Sequence, residues 1–170
     1  MPTRKPSSPD LLEAAFALIG EVGWHGFRLS ELAERASVPL AQVQSAYGAP
    51  CDVIAALGRR LDAAMVAVER AELDGLAPRD RLFELVMRRL DAALPFKAGL
   101  RRLGRDARCD PRVLAVTAAN LDRMAGWLLD LAGEGDRPIP PLLARPALIA
   151  LYARVAQVWL DDDEPDQART

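Results

Sequence analysis

The sequence predicts an all-α protein: a small N-terminal three-helix domain (8–58) carrying a helix-turn-helix, followed by a larger helical domain (59–170). Three observations carry that expectation. The chain is 51% hydrophobic but only 5% aromatic, with Ala, Leu and Arg abundant, a mixture that suits helical bundles. Apolar residues recur at spacings of three and four through most segments, the period of one helix face. Two short helical patterns also meet at Ala36-Ser37-Val38-Pro39, a junction short enough for a helix-turn-helix, whose second helix can lie in a DNA major groove.

Met1 to Ser7 reads as a Pro- and Ser-rich arm with two basic residues. Ser8 is the expected cap of the first helix, with Pro9 in its first position. Leu11, Leu12, Ala15, Phe16, Leu18, Ile19 and Val22 form a broad apolar face, and Gly23 and Gly26 end the helix. His25, the sole histidine, has no neighbouring Ser, Cys or metal partner and reads as a solvated turn residue. Leu29 to Ala36 presents Leu29, Leu32, Ala33 and Ala36 on one face, and Leu40 to Tyr47 presents Leu40, Val43 and Tyr47. A long helix is expected from Pro50 to Glu69, since proline is tolerated in a first turn and Asp52 suits the helix dipole.

Gly75 to Pro78 breaks the pattern. From Arg79, residues Leu82, Phe83, Leu85, Val86, Leu90 and Ala93 are expected to face inward, with Arg88 and Arg89 on the surface. Leu94-Pro95-Phe96 is a corner before a shorter helix through Leu100 and Leu103. That helix bears Arg101, Arg102, Arg105 and Arg108, either a solvated face balanced by Asp106 and Asp110 or a site for an anionic group. Asp110-Pro111 should cap and open the next helix, which runs to Leu131. A Gly- and Pro-rich loop follows from Gly133 to Pro141, and the last long helix is expected from Pro146 to Leu160. That helix is apolar around much of its circumference, so it is either central or packed on a second subunit. In the acidic tail Asp163 is expected to cap a further helix, leaving open whether the native chain continues past Thr170.

The formal charge is −2, and Met1 to Arg60 sets six basic against six acidic residues, so no global basic field draws the chain to nucleic acid. Cys51 and Cys109 are too far apart for a metal or redox motif. The N-terminus lacks a signal peptide's apolar run, and no stretch approaches the roughly 20 apolar residues that span a bilayer. The expectation is a soluble cytoplasmic protein without an integral membrane segment. No nucleophile sits beside a base, no metal-ligand set recurs, and no glycine-rich phosphate loop is present. No catalytic residue, metal or cofactor is therefore expected, and the chain is not read as an enzyme.

Residues Leu11 to Leu57 resemble the N-terminal domain of the TetR/AcrR family of bacterial regulators. The resemblance lies in LLEAAFALIGEVGWHGFRLSELAERASV, in Tyr47 closing the recognition helix, and in an apolar fourth helix starting near Pro50. It implies a TetR-like homodimer in which a helix-turn-helix binds operator DNA and a variable C-terminal domain dimerises and binds a ligand. The chain departs from the family pattern where basic or aromatic residues are common: Leu40 for lysine, Gln44 for tyrosine, Ser45 for histidine and Pro50 for lysine. No basic side chain lies between Val38 and Leu57. A second resemblance covers Arg81 to Trp159 and above all ALIALYARVAQVWLDDDEPDQART. It is to the C-terminal part of the coenzyme Q biosynthesis lipid-binding proteins, which keep the TetR architecture.

Two readings follow. In the first the protein is a cytoplasmic DNA-binding transcriptional regulator, a repressor, sensing a small apolar ligand. Gln42, Gln44 and Ser45 would read base edges, while Arg28 and Tyr47 would hold phosphate. In the second it binds a lipid or isoprenoid on the same scaffold and has lost DNA binding. For either, the expected ligand pocket draws on Phe83, Val86, Met87, Leu90, Met124, Trp127, Tyr152 and Trp159, large apolar and adaptable side chains. The homodimer contact is expected on the last two long helices, from the apolar surplus between Pro146 and Trp159 with Trp127 and Leu128.

Overall fold

The structure, a computed structural model, describes residues 10–68, 70–133 and 140–162. Those residues form nine α-helices and one 3₁₀ turn: α1 (Leu11–Val22), α2 (Leu29–Ala36), α3 (Leu40–Ala46), α4 (Pro50–Val66), α5 (Arg70–Leu73), α6 (Pro78–Ala93), the turn Leu94–Phe96, α7 (Lys97–Asp106), α8 (Pro111–Ala132) and α9 (Pro141–Asp161). No strand occurs among the described residues, so the all-α class holds.

Asp10, and not Ser8, caps α1: its carboxylate accepts from the Leu12 and Glu13 amides. Ser8 and Pro9 lie outside the described residues. A carboxylate has two strong acceptor oxygens for the orphan amides of a first turn and favours the helix dipole as well. Asp110 caps α8 in the same way, as the sequence predicts, accepting from Arg112 and Val113. α4 begins at Pro50, with Asp52 reaching back to the Ala49 amide at 2.9 Å. It ends at Val66, short of the expected Glu69, and the chain resumes as the one-turn α5.

α9 begins at Pro141, a turn earlier than the proline rule predicts, with Pro146 inside it. The missing amide of Pro146 would have paired with the carbonyl of Leu142. Leu142 is 87% exposed, so that carbonyl lies in a first turn open to water and the usual penalty shrinks. The expected cap at Asp163 and the helix after it lie outside the described residues.

α1 crosses α7 at a pair of glycines. Gly99 lies so close to α1 that a Cβ there would overlap the carbonyl oxygen of Phe16, while Gly20 faces the Gly99 amide from α1. Phe16 meets Phe96 edge to face at 5.5 Å beside this crossing. The Arg60 guanidinium covers the other side of the Phe96 ring, 5.3 Å from its centroid, and pairs with Asp10 and Glu13. Below the crossing, α4, α6, α8 and α9 pack around Leu57, Leu61, Leu90, Met124 and Leu128, all buried. Gly58 admits Asn120 against α4, where a Cβ would collide with its side-chain amide.

Candidate functional site

Two places have the makings of a site: the outer face of α3 and a cavity among α4 and α6–α9.

The α2–α3 junction is a left-handed turn. Ser37 has φ 54° and ψ 41°, a conformation that costs an L-residue about 1–2 kcal/mol. The Val38 amide returns to Ala33 and the Ser37 amide to Glu34, closing the last turn of α2. α3 is fixed from beneath by Val43, fully buried, and by Tyr47, which caps its C-terminus and is 7% exposed. Leu40, placed on the same buried stripe by its spacing, is 53% exposed instead, because a helix of two turns touches its neighbours through one residue per turn.

Gln42, Gln44 and Ser45 are all exposed on α3. The Ser45 hydroxyl donates to the Ala41 carbonyl at 2.8 Å, leaving its oxygen to accept. Tyr47 packs into the domain; burial, then the charge of Asp10, push its phenol above the ordinary range against the pull of Arg60 and Arg59. Arg28 is exposed, but its guanidinium bridges the carbonyls of His25 and Phe27, both at 2.9 Å. Arg35 pairs with Glu21. The structure thus leaves the two glutamines and the serine exposed on α3, sets Tyr47 beneath the helix, and ties Arg28 into the turn before α2.

That turn is also anchored to the C-terminal helices. Asp106 accepts from the Trp24 amide at 3.1 Å and from Arg102 Nε at 2.9 Å, while Asp110 accepts from Trp24 Nε1 at 3.1 Å. His25, as its Nε2–H tautomer, donates to the Asp106 carbonyl at 3.0 Å. The Arg102 guanidinium, with the Trp24 amide, holds the Asp106 carboxyl below its ordinary range, and the Trp24 indole with the Arg112 amide does the same for Asp110. Gly23, at φ 78°, has no room for a side chain against Asp106 and Arg102.

The cavity has a volume of about 440 Å³. Its inner wall is apolar and buried, including Leu57, Leu61, Leu90 and Trp159, and its mouth opens between exposed Gly104, Arg108, Leu114, Thr117 and Ala153. At the inner end Arg89, Asn120 and Tyr152 join a polar network. Arg89 donates Nε to the Tyr152 hydroxyl at 3.1 Å and Nη1 to Asp62. Arg123 donates to the other Asp62 oxygen at 2.6 Å and to Asn120 at 2.9 Å, and Asn120 donates to the Ile54 carbonyl at 3.0 Å.

Of the eight residues the sequence offered for a pocket, Leu90, Tyr152 and Trp159 line this cavity. Met124 is fully buried in the core behind it, and Val86 and Met87 are half-buried on α6. Phe83 (65% exposed) and Trp127 (44% exposed) point outward. Arg89, expected on the surface, is instead 3% exposed. Its partner gives the signal that finds it: Asp62 falls on the inward stripe of α4, eight residues after Ile54 and four after Gly58. The arginine run of α7 and the turn after it is largely spent on structure, with Arg101 donating to the Leu160 carbonyl at the end of α9, Arg102 to Asp106 and Arg108 to Gly104. No cluster of metal-ligating side chains occurs among the described residues, and no helix there is long and apolar enough to cross a membrane.

No family model and no curated protein matches the sequence. Solved structures do. A TetR transcriptional regulator from Nitrosomonas europaea ATCC 19718 superimposes with a TM-score of 0.77 at 21% identity, covering 96% of this chain and 90% of that one. A protein described as a TetR-family transcriptional regulator, from Rhodococcus sp., superimposes with a TM-score of 0.64 at 19% identity, covering 94% and 90%. The resemblance to the coenzyme Q lipid-binding proteins finds no counterpart among these matches. From the crossing of α1 and α7 to the bundle around the cavity, the architecture of this chain is that of the TetR regulators.

Proposed function

We propose that the protein is a homodimeric DNA-binding transcriptional regulator, a repressor, that senses an apolar molecule in the cavity among α4 and α6–α9. The observation that carries this reading is the outward face of α3. Gln42, Gln44 and Ser45 stand exposed on a helix held from below by Val43 and Tyr47, and amides and hydroxyls are base-edge readers. Phosphate would be met by backbone amides at helix N-termini and by Arg28, should it leave its two carbonyls. The dimer contact falls on exposed apolar side chains of α8 and α9, among them Trp127, Leu143 and Leu151.

Ionic contacts are few, so the slope of log affinity against log salt, about −0.9 per neutralised phosphate, should be shallow. Titration against DNA upstream of the protein's own coding region, at low salt, tests the reading. Gln44→Ala is expected to cost about 1–3 kcal/mol on the preferred site and little on random DNA. Upstream DNA bound no tighter than random DNA, with Gln44→Ala silent, would remove the regulator.

One observation favours a second reading, a lipid- or isoprenoid-binding protein without DNA. Arg28, Arg35 and Arg60 are all engaged by acceptors between Asp10 and Phe27, while the cavity is ready-made. The same titration separates the two.

A further inference from the structure

We propose that the cavity takes a carboxylate amphiphile, held head-first with its carboxylate on Arg89 and Tyr152 and its aliphatic body along Leu57, Leu90 and Trp159. This deepens the ligand-sensing part of the function above and rests on reading the cavity as a ligand site; it does not depend on DNA binding.

Charge is the first argument. The two ionisable residues of strong charge that line the cavity are both arginines, Arg89 inside and Arg108 at the mouth, and no carboxylate lines it. Behind the wall, the single carboxylate of Asp62 receives two guanidiniums, from Arg89 and Arg123. The three groups together carry one net positive charge, with Arg89 and Asp62 buried and the Arg123 side chain 34% exposed. The net positive charge around the inner end, with guanidiniums and no carboxylate on the wall, would attract an incoming anion and repel an incoming ammonium.

Hydrogen-bond directions agree. A guanidinium has five N–H donors, and Arg89 gives one to Tyr152 and one to Asp62. The Tyr152 oxygen accepts from Arg89, so its own proton must turn elsewhere, and both residues line the cavity. Burial pushes the Tyr152 phenol upward against the pull of Arg89, so the hydroxyl keeps the proton it would donate. Donors without a competing acceptor suit a carboxylate, which only accepts.

Size limits the body. About 440 Å³ holds roughly fifteen non-hydrogen atoms when each takes the ~30 Å³ that a water has in the liquid. Decanoate fits that measure and is the probe.

The experiment is calorimetric titration of the intact protein, without DNA, with decanoate, decanol and decylamine. Decanoate is expected to bind roughly tenfold or more tighter than decanol, as a charge-assisted head contact implies, and decylamine not to bind. Tyr152→Phe keeps the ring and removes the donor; it should weaken decanoate roughly tenfold and decanol less. Decanoate should also weaken as pH falls through about 4–5 and its head protonates, with decanol unchanged, a result that needs no variant. Equal affinity for decanoate and decanol, preference for decylamine, no binding of decanoate, or indifference of decanoate to both pH and Tyr152→Phe overturns the proposal. Decanoate binding without DNA binding would sink the regulator and leave this assignment standing.

Discussion

At the scale of single residues, two glycines of α7 show how little the residue type says without its neighbours. Gly99 touches the Phe16 carbonyl and Gly104, five residues on, has open space around it. Gly99→Ala must push a helix backbone aside, and overpacking of that kind costs about 1–3 kcal/mol, more than the gain in helix propensity. Gly104→Ala has nothing to displace and should stabilise by about 0.5–1 kcal/mol, the glycine penalty within a helix. Urea denaturation of the two variants should move the midpoint in opposite directions. Both are helical glycines in the sequence, and nothing local tells them apart. Arg89 makes the same point: paired with Arg88 it reads as surface, and only Asp62 across the bundle makes its burial affordable.

At the scale of elements, the turn around Trp24 is a clasp between the N-terminal helices and the α7–α8 corner. Its two carboxylates have lowered pKa values: Asp106 beside Arg102 and Asp110 beside the Trp24 indole. Groups whose folded pKa lies below the unfolded one contribute stability above the unfolded value and lose it as pH falls through the folded value. The clasp should therefore hold at neutral pH and loosen as pH falls through and below the ordinary carboxylate range. The variant Asp106→Ala/Asp110→Ala should be less stable than wild type at neutral pH and lose less on acidification, as measured by denaturation midpoints across that range. Local signals made many element boundaries legible: α2 and the start of α3 from apolar spacing and the three-residue junction, and α8 from Asp110-Pro111. They failed at α9, where the rule for proline applies to helix interiors and Pro146 lies one turn from an open end. The cavity was only partly legible, since Leu90, Met124, Tyr152 and Trp159 share the same helical spacing whether they border a void or fill a core.

At the scale of the whole molecule, half of the large exposed apolar side chains among the described residues lie on the last two helices. Leu142, Leu143 and Leu151 on α9 join Trp127 on α8 as large apolar groups open to water. Leu128 and Trp159, offered from the sequence for the same contact, are instead buried within the chain. A stable pairing of two copies through this face should bury upward of about 1,000 Å². Leu151→Glu should then convert a dimer to a monomer in sedimentation velocity at micromolar concentration, leaving helix content unchanged. A wild-type chain that sediments as a monomer would dismiss the pairing.

The crossing of α1 on α7 has a bearing on how such a protein could be recombined. Gly75 and Pro78 look like a natural place to cut, since the helical pattern lapses there. A fragment ending at that point, however, would carry α1 with its Phe16 and Gly20 flank stripped of the helix that covers it, and Trp24 without either of its carboxylates. The N-terminal helices are thus not a portable part. A chimera that moves them to another chain must bring α7 and the corner through Asp110, so that the glycine crossing, the Phe16–Phe96 pair and both Trp24 carboxylates travel together.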